Sequence, residues 1–229
     1  MRSFANDEPA QPRLLPLITG VFVAVFVVSN IIAVKIIEVG SWTLPAAVVV
    51  FPISYILGDT LTEVYGYATA RRVIWTAFAC NLIGVAAIVA GERLPSAAFW
   101  GDQQAYETIL GYAPRLLVAS FAAFLVGEFA NAVVLSRLKL RTGGRFLWLR
   151  TIGSTLVGQA LDSGLFIAIA FAGTFSGHDL FTLAWHQWAF KVGYEVAATP
   201  LTYVVVTAMK KFEHRDAFDR GESLNPLRI

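Results

Sequence analysis

The sequence predicts an all-helical polytopic membrane protein with six transmembrane helices and both ends on the cytoplasmic side. Three observations predict it. Of the 229 residues, 56% are hydrophobic and only 15% charged, whereas a soluble domain carries about a quarter charged residues. The apolar residues gather into six long runs, each near the roughly 20 residues a helix needs to span hydrocarbon. The cations gather in the connections on one side.

Residues 1–13 are polar, contain Pro9 and Pro12, and read as a cytoplasmic N-terminal segment. Residues 14–209 read as the six-helix domain and residues 210–229 as a basic cytoplasmic tail. The expected spans are Leu14–Ile37, Leu44–Tyr67, Val73–Ala90, Arg115–Arg137, Thr151–Phe175 and Trp185–Met209. Helices are expected because a lipid-exposed backbone must satisfy its own hydrogen bonds. The first run is too long for a signal peptide's apolar region and is read as a retained span. The second run is interrupted by Pro45, Pro52 and Gly58. Between the third and fourth runs, Gly91–Pro114 carries Trp100, Tyr106 and Tyr112, which suits an interfacial helix or a lid on the outer side.

Orientation follows from the cations. Arg2 and Arg13 precede the first run; Arg71 and Arg72 follow the second. Arg137, Lys139, Arg141, Arg145 and Arg150 join the fourth to the fifth, and Lys210, Lys211, Arg215, Arg220 and Arg228 follow the sixth. Fourteen of the 18 Lys and Arg thus lie on one side, which the positive-inside rule places in the cytoplasm. Topology explains the basic loop better than a nucleic-acid partner does. The cytoplasmic (inner) membrane is the expected location.

Against this apolar background, the polar residues within the runs stand out, because charge at mid-membrane costs about 2.5–3.5 kcal/mol on insertion scales. Asn30 and Lys35 lie on the first run, Asp59 and Glu63 on the second, and Asn81 on the third. Glu128 and Asn131, Gln159 and Asp162, and Lys191 and Glu195 stand three or four apart on the last three, so each pair shares a helical face. Lone amides can serve helix–helix hydrogen bonding, and Lys35 and Glu63 can snorkel to the interfaces. The set as a whole implies a solvated cavity for a polar solute. Its carboxylates and amides suit a guanine-like base, which Tyr55, Phe166 and Tyr194 can stack upon; a cationic solute fits the same chemistry. Glu63, Glu128 and Asp162 are candidates for proton coupling. Two groups of three spans with opposite orientation suggest a 3+3 inverted repeat, faintly echoed by Asn30 with Asn131 and Asp59-Thr60 with Asp162-Ser163.

Other classes find little support. Cys80 is the lone cysteine and His178, His186 and His214 are scattered, so no metal, disulfide or cofactor is expected. No Gly-x-Ser-x-Gly or His-Glu-x-x-His motif supports an enzyme. Small residues such as Ala119, Ala123, Gly153 and Gly158 permit close helix contact within a protomer or in a homo-oligomer.

The run Phe51-Pro-Ile-Ser-Tyr-Ile-Leu-Gly-Asp-Thr-Leu-Thr-Glu-Val-Tyr-Gly66, followed by Ala70-Arg71-Arg72, resembles the signature of the queuosine precursor transporter family, also called the vitamin uptake transporter family. Ser29–Lys35, Gly127–Asn131, Gln159–Ser163 and Lys191–Glu195 support the resemblance by order and spacing. It implies uptake of 7-deazaguanine bases such as 7-cyano-7-deazaguanine. The residues it brings under suspicion are Asn30, Asp59, Glu63, Glu128, Asn131, Asp162, Lys191 and Glu195. Glu128, Asp162 and Glu195 would pair with base N–H groups, Asn131 and Gln159 would meet the carbonyl or ring nitrogen, and Lys191 would neutralise Glu195 in the empty site. Asn81 and Tyr194 complete the substrate-binding candidates. The alternatives are a substrate-binding subunit of an ATPase-driven vitamin importer, since the chain has no Walker motif of its own, and a membrane-embedded enzyme.

Overall fold

The protein is described from a computed structural model, which covers residues 12–33, 35–39, 42–111, 114–173 and 176–228. Helix α1 (Leu15–Ile32) carries a proline at its start, where a missing amide N–H is harmless. It stops short of the expected Ile37 because Ile36–Val39 (β1) pairs antiparallel with Trp42–Pro45 (β2). The β-branched and aromatic residues here, around Gly40-Ser41, are the composition of a short hairpin. A single short turn of 3₁₀ helix, Ala46–Val49, leads into α2 (Phe51–Thr60), which runs on as one π-helical turn, Leu61–Tyr65. The second expected span is therefore built of short pieces rather than one α-helix.

Gly66 ends that segment with φ +86°, a left-handed conformation in which only glycine is unstrained. Beyond it run α3 (Tyr67–Arg93), α4 (Gln103–Leu110), α5 (Pro114–Thr142), α6 (Leu147–Phe171) and α7 (Gly177–Glu213). Five described helices, α1, α3, α5, α6 and α7, are long and apolar enough to cross a membrane. The short α4 buries none of its residues; Tyr106 ties it to α3 by donating to the Ile88 carbonyl at 3.2 Å. Tyr112 lies outside the described residues.

The molecule is turned inside out relative to a soluble globule. Large apolar side chains such as Leu17 (63% exposed) and Ile83 (69%) face outward, while Asp59, Glu63, Lys139, Arg150 and Glu195 are buried. An apolar cluster that includes Phe22, Phe26, Leu61, Tyr67, Phe124 and Phe129 knits α1, α2, α3 and α5 together. Helices α5 and α6 cross closely. A Cβ on Gly127 would stand 2.8 Å from Asp162 Cβ, and one on Gly158 would stand 2.8 Å from Asn131 Cβ and 2.9 Å from the Gly127 carbonyl. Each glycine thus makes room for the polar residue four positions along the opposite helix, or one turn removed.

One end of the bundle is sealed by charge. The backbone N–H groups of Arg13 and Leu14, entering α1, donate to the Glu213 carboxylate at the end of α7. Glu63 accepts from Arg150 Nε at 2.6 Å and from Lys210 Nζ at 3.0 Å, with Lys139 Nζ 3.4 Å away. Glu63 is 0% exposed, and Lys139 and Arg150 are each 1% exposed. Glu63 therefore does not snorkel to the interface. Lys139 and Arg150, which fall in the basic connection on the sequence reading, are internal. The tail continues the seal: both Asp219 carboxylate oxygens accept from Tyr67 N–H at the start of α3, at 3.0 and 3.1 Å. Arg71 holds the Ser223 and Asn225 carbonyls, and Trp75 Nε1 donates to the Pro226 carbonyl.

Candidate functional site

Toward the other end, α1, α2, α5, α6 and α7 enclose a cavity of about 390 Å³. That volume falls within the range of about 300–1,000 Å³ common for small-molecule sites. The contributing stripes follow helical spacing. Ser120, Phe124, Gly127 and Glu128 form one face of α5; Gln187 and Lys191 are four apart on α7; Gln159, Asp162 and Phe166 share a face of α6. Helix α1 brings Phe22, Phe26 and Asn30, and α2 brings Ser54 and Tyr55.

The polar groups divide by neighbour. Asp162 and Lys191 form an ion pair across α6 and α7, with Asp162 21% and Lys191 12% exposed. Lys191 thus pairs with Asp162 rather than with the Glu195 suggested alongside the family resemblance. The reason is tertiary: α6 packs on α7, and the aspartate reaches across the gap. Asn30, on the cavity wall, donates from Nδ2 back to the Phe26 carbonyl at 2.9 Å. The Glu128 carboxylate lies over α2, with Oε2 3.6 Å from where a Cβ on Gly58 would stand. The Phe26 and Phe124 rings stack at 3.8 Å between centroids and form part of the wall.

Of the sequence candidates, Asn30, Glu128, Gln159, Asp162 and Lys191 come together on the cavity wall. Asp59, Asn131 and Glu195 lie behind it: Asn131 Nδ2 donates to Asp59 Oδ1 at 3.3 Å, and Asp59 and Glu195 interact electrostatically. Asn81 is buried on α3, and it and Tyr194, which is 38% exposed, are not among the described lining residues. Glu63 belongs to the charged seal. The sequence reading missed Ser54, Ser120 and Gln187, all on the cavity wall. Gln187 carried a signal, standing one turn before Lys191 on the same face; the serines carried none, being common in membrane helices.

In the seal, burial raises the Asp216 carboxyl, but hydrogen bonds from Lys139 (2.5 Å) and Lys210 outweigh it and hold the group below its ordinary value. Asp216 is therefore ionised at neutral pH and keeps its bonds to Lys139 and Lys210. A chamber walled by aromatic rings and a few polar groups, shut at one end, can bind a flat polar solute and hold it away from that end.

The family model described as "Putative vitamin uptake transporter" matches residues 45–205. The chain is similar to the "Probable queuosine precursor transporter" of Bacillus subtilis (strain 168), with 33% identity over 151 residues, 65% of this chain and 66% of the relative. It is similar to the "Queuosine precursor transporter" of Escherichia coli (strain K12), with 27% identity over 53% of this chain and 52% of the relative. A "Probable queuosine precursor transporter" of Haemophilus influenzae is 28% identical over 53% of this chain and 49% of the relative. The chain thus spans between about half and two thirds of the length of these relatives. No solved structure matches it. With the family model covering well over half of the chain, the protein belongs to the vitamin uptake transporter family.

Proposed function

We propose that this protein imports 7-deazaguanine bases, such as 7-cyano-7-deazaguanine, across the cytoplasmic membrane without an ATPase partner. The observation that carries the reading is the cavity wall: Glu128, Gln159, Asp162 and Lys191 converge among stacked aromatic rings. A guanine-like edge offers adjacent N–H donors and a carbonyl. Glu128 accepts from the donors, Gln159 or Asn30 meets the carbonyl or ring nitrogen, and Tyr55, Phe124 or Phe166 covers a ring face. Lys191 holds Asp162 until the solute competes for it. The names of the three relatives point to the same solute class.

The reading includes six crossings with both ends in the cytoplasm and the tail as part of the cytoplasmic face. Its support is that the entry to α1 and the end of α7 meet at one end of the bundle through Glu213, which requires an even number of passes. The short pieces from Ala46 to Tyr65 then serve as the second pass, a broken helix of the kind transporters use where backbone lines a protein interior. The 3+3 repeat is part of the proposal, as is the inner-membrane location.

The test is uptake of labelled 7-cyano-7-deazaguanine by the purified protein alone in liposomes. Uptake that unlabelled base suppresses, and that Glu128→Gln reduces at least about tenfold, supports the reading; a tenfold loss corresponds to about 1.4 kcal/mol. Binding without uptake would make the chain a subunit awaiting an ATPase, and neither would remove the deazaguanine assignment.

A further inference from the structure

Behind the cavity wall two carboxylates are buried without a cation among the described residues. Glu195 on α7 is 0% exposed and Asp59 on α2 is 1% exposed. Helix α2 packs on α7, and the two groups interact electrostatically. Asn131 Nδ2 donates to Asp59 Oδ1 at 3.3 Å. Asp59 Oδ2 and both Glu195 carboxylate oxygens are buried and receive no hydrogen bond, and the Asn131 amide oxygen is likewise unpartnered.

The charges around them do not neutralise the pair. Glu63, one turn after Asp59, is committed to Lys139, Arg150 and Lys210. Lys191, one turn before Glu195, is held by Asp162. Glu128 and Asp162 add negative charge, and Tyr55 contributes a phenol. Removing an unpaired carboxylate from water costs several kcal/mol, and in practice such a group takes a proton instead. Two that interact do not both ionise in the same dry space. The orphaned carboxylate oxygens therefore offer the pair a place for a proton.

We propose that Asp59 and Glu195, steadied by Asn131, form a proton-coupling site behind the solute cavity, separate from the groups that hold the solute. The inference rests on the transport reading above. In the closed-seal state a carboxyl of the pair carries the proton as O–H. With the cavity open to the outer side, hydronium there gives a proton to the pair by way of Glu128 and leaves as water. When the bundle opens toward the sealed end, water takes that proton as hydronium, so one proton moves with one solute. Glu128 links the two sites: it lies on the cavity wall, is packed over Gly58 beside Asp59, and interacts with both Asp59 and Glu195. This assigns coupling to Asp59 and Glu195 in place of Glu63, whose carboxylate is locked by three cations.

The full chain in sodium-free liposomes tests it, with labelled 7-cyano-7-deazaguanine as the probe. Exchange without a gradient is compared with accumulation under an inside-alkaline gradient of one pH unit. One proton per solute predicts about tenfold accumulation over exchange equilibrium in the wild type. Asp59→Asn and Glu195→Gln are each expected to bring that ratio to about one, whatever their exchange rate. A variant that keeps the wild-type ratio, or wild-type accumulation that ignores the pH gradient and responds instead to a sodium gradient imposed on a parallel set of liposomes, would overturn the proposal. A second readout needs no solute: infrared difference spectra on alkaline titration should show loss of a protonated-carboxyl band, weakened in both variants. The same band in wild type and variants would also overturn it. Failure of wild-type exchange would remove the transport reading, while the infrared arm still decides whether the pair holds a proton.

Discussion

Replacing Glu63 with glutamine isolates the worth of the charged seal. In the native protein the Glu63 carboxylate is wholly buried and meets Arg150 at 2.6 Å, Lys210 at 3.0 Å and Lys139 at 3.4 Å. The amide keeps the shape and loses the charge. Lys139 and Lys210 retain Asp216, and Arg150 retains the Arg145 carbonyl, so the cations are under-compensated rather than abandoned. Breaking a buried pair from one side costs about 3–5 kcal/mol, and the remaining partners favour the lower end, about 3 kcal/mol. For a chain of this size each kcal/mol moves Tm by about 2–4 °C, so Glu63→Gln should lower Tm by about 6–12 °C in detergent. Removing Arg150 as well, as Glu63→Gln with Arg150→Met, should recover part of the loss, because the pair rather than one charge is then absent. A drop under about 2 °C for the single change, or a double change that is simply additive, would refute the claim that Glu63 anchors the seal.

Gly127→Ala should force α5 and α6 apart, since the new Cβ would stand 2.8 Å from Asp162 Cβ and 3.1 Å from the Gly158 carbonyl; an overpacking cost of about 1–3 kcal/mol is expected in thermal unfolding. Asp162→Asn and Lys191→Met should each destabilise more than the double substitution, with a coupling of about 0.5–3 kcal/mol in a double-mutant cycle. The tail contact through Asp216 should respond to acid. Its folded pKa is depressed below the ordinary 3.8, so the stabilisation is present above that value and lost as pH falls through the lower folded one. Trp75, bonded to the tail at Pro226, should report release as a fluorescence change confined to pH below about 3.8, and Asp216→Asn should abolish that change.

Much of this protein follows from its sequence alone. Helical spans, their approximate ends and the company of polar residues on shared faces all come from local chemistry: hydrocarbon demands about 20 apolar residues per helix, and spacing of three or four sets a face. That is why Asn30, Glu128, Gln159, Asp162 and Lys191 were legible, though within a larger set that also held Asp59, Asn81, Asn131, Tyr194 and Glu195. Tertiary structure alone decided which of them face the cavity and which face each other. Lys191 and Glu195 share a helical face, yet the lysine pairs with Asp162, because α6 brings a carboxylate closer than the turn of α7 does. Gly158 reads in sequence only as one of several small residues that permit close helix contact, and Gly127 not even as that; the crossing of α5 and α6 shows that any side chain at either would displace the polar residues opposite. Lys139 and Arg150 read as topology-setting surface cations, but the fold buries them on Glu63. An ion pair between helices depends on the distance between distant parts of the chain, and spacing along one helix carries no information about that distance.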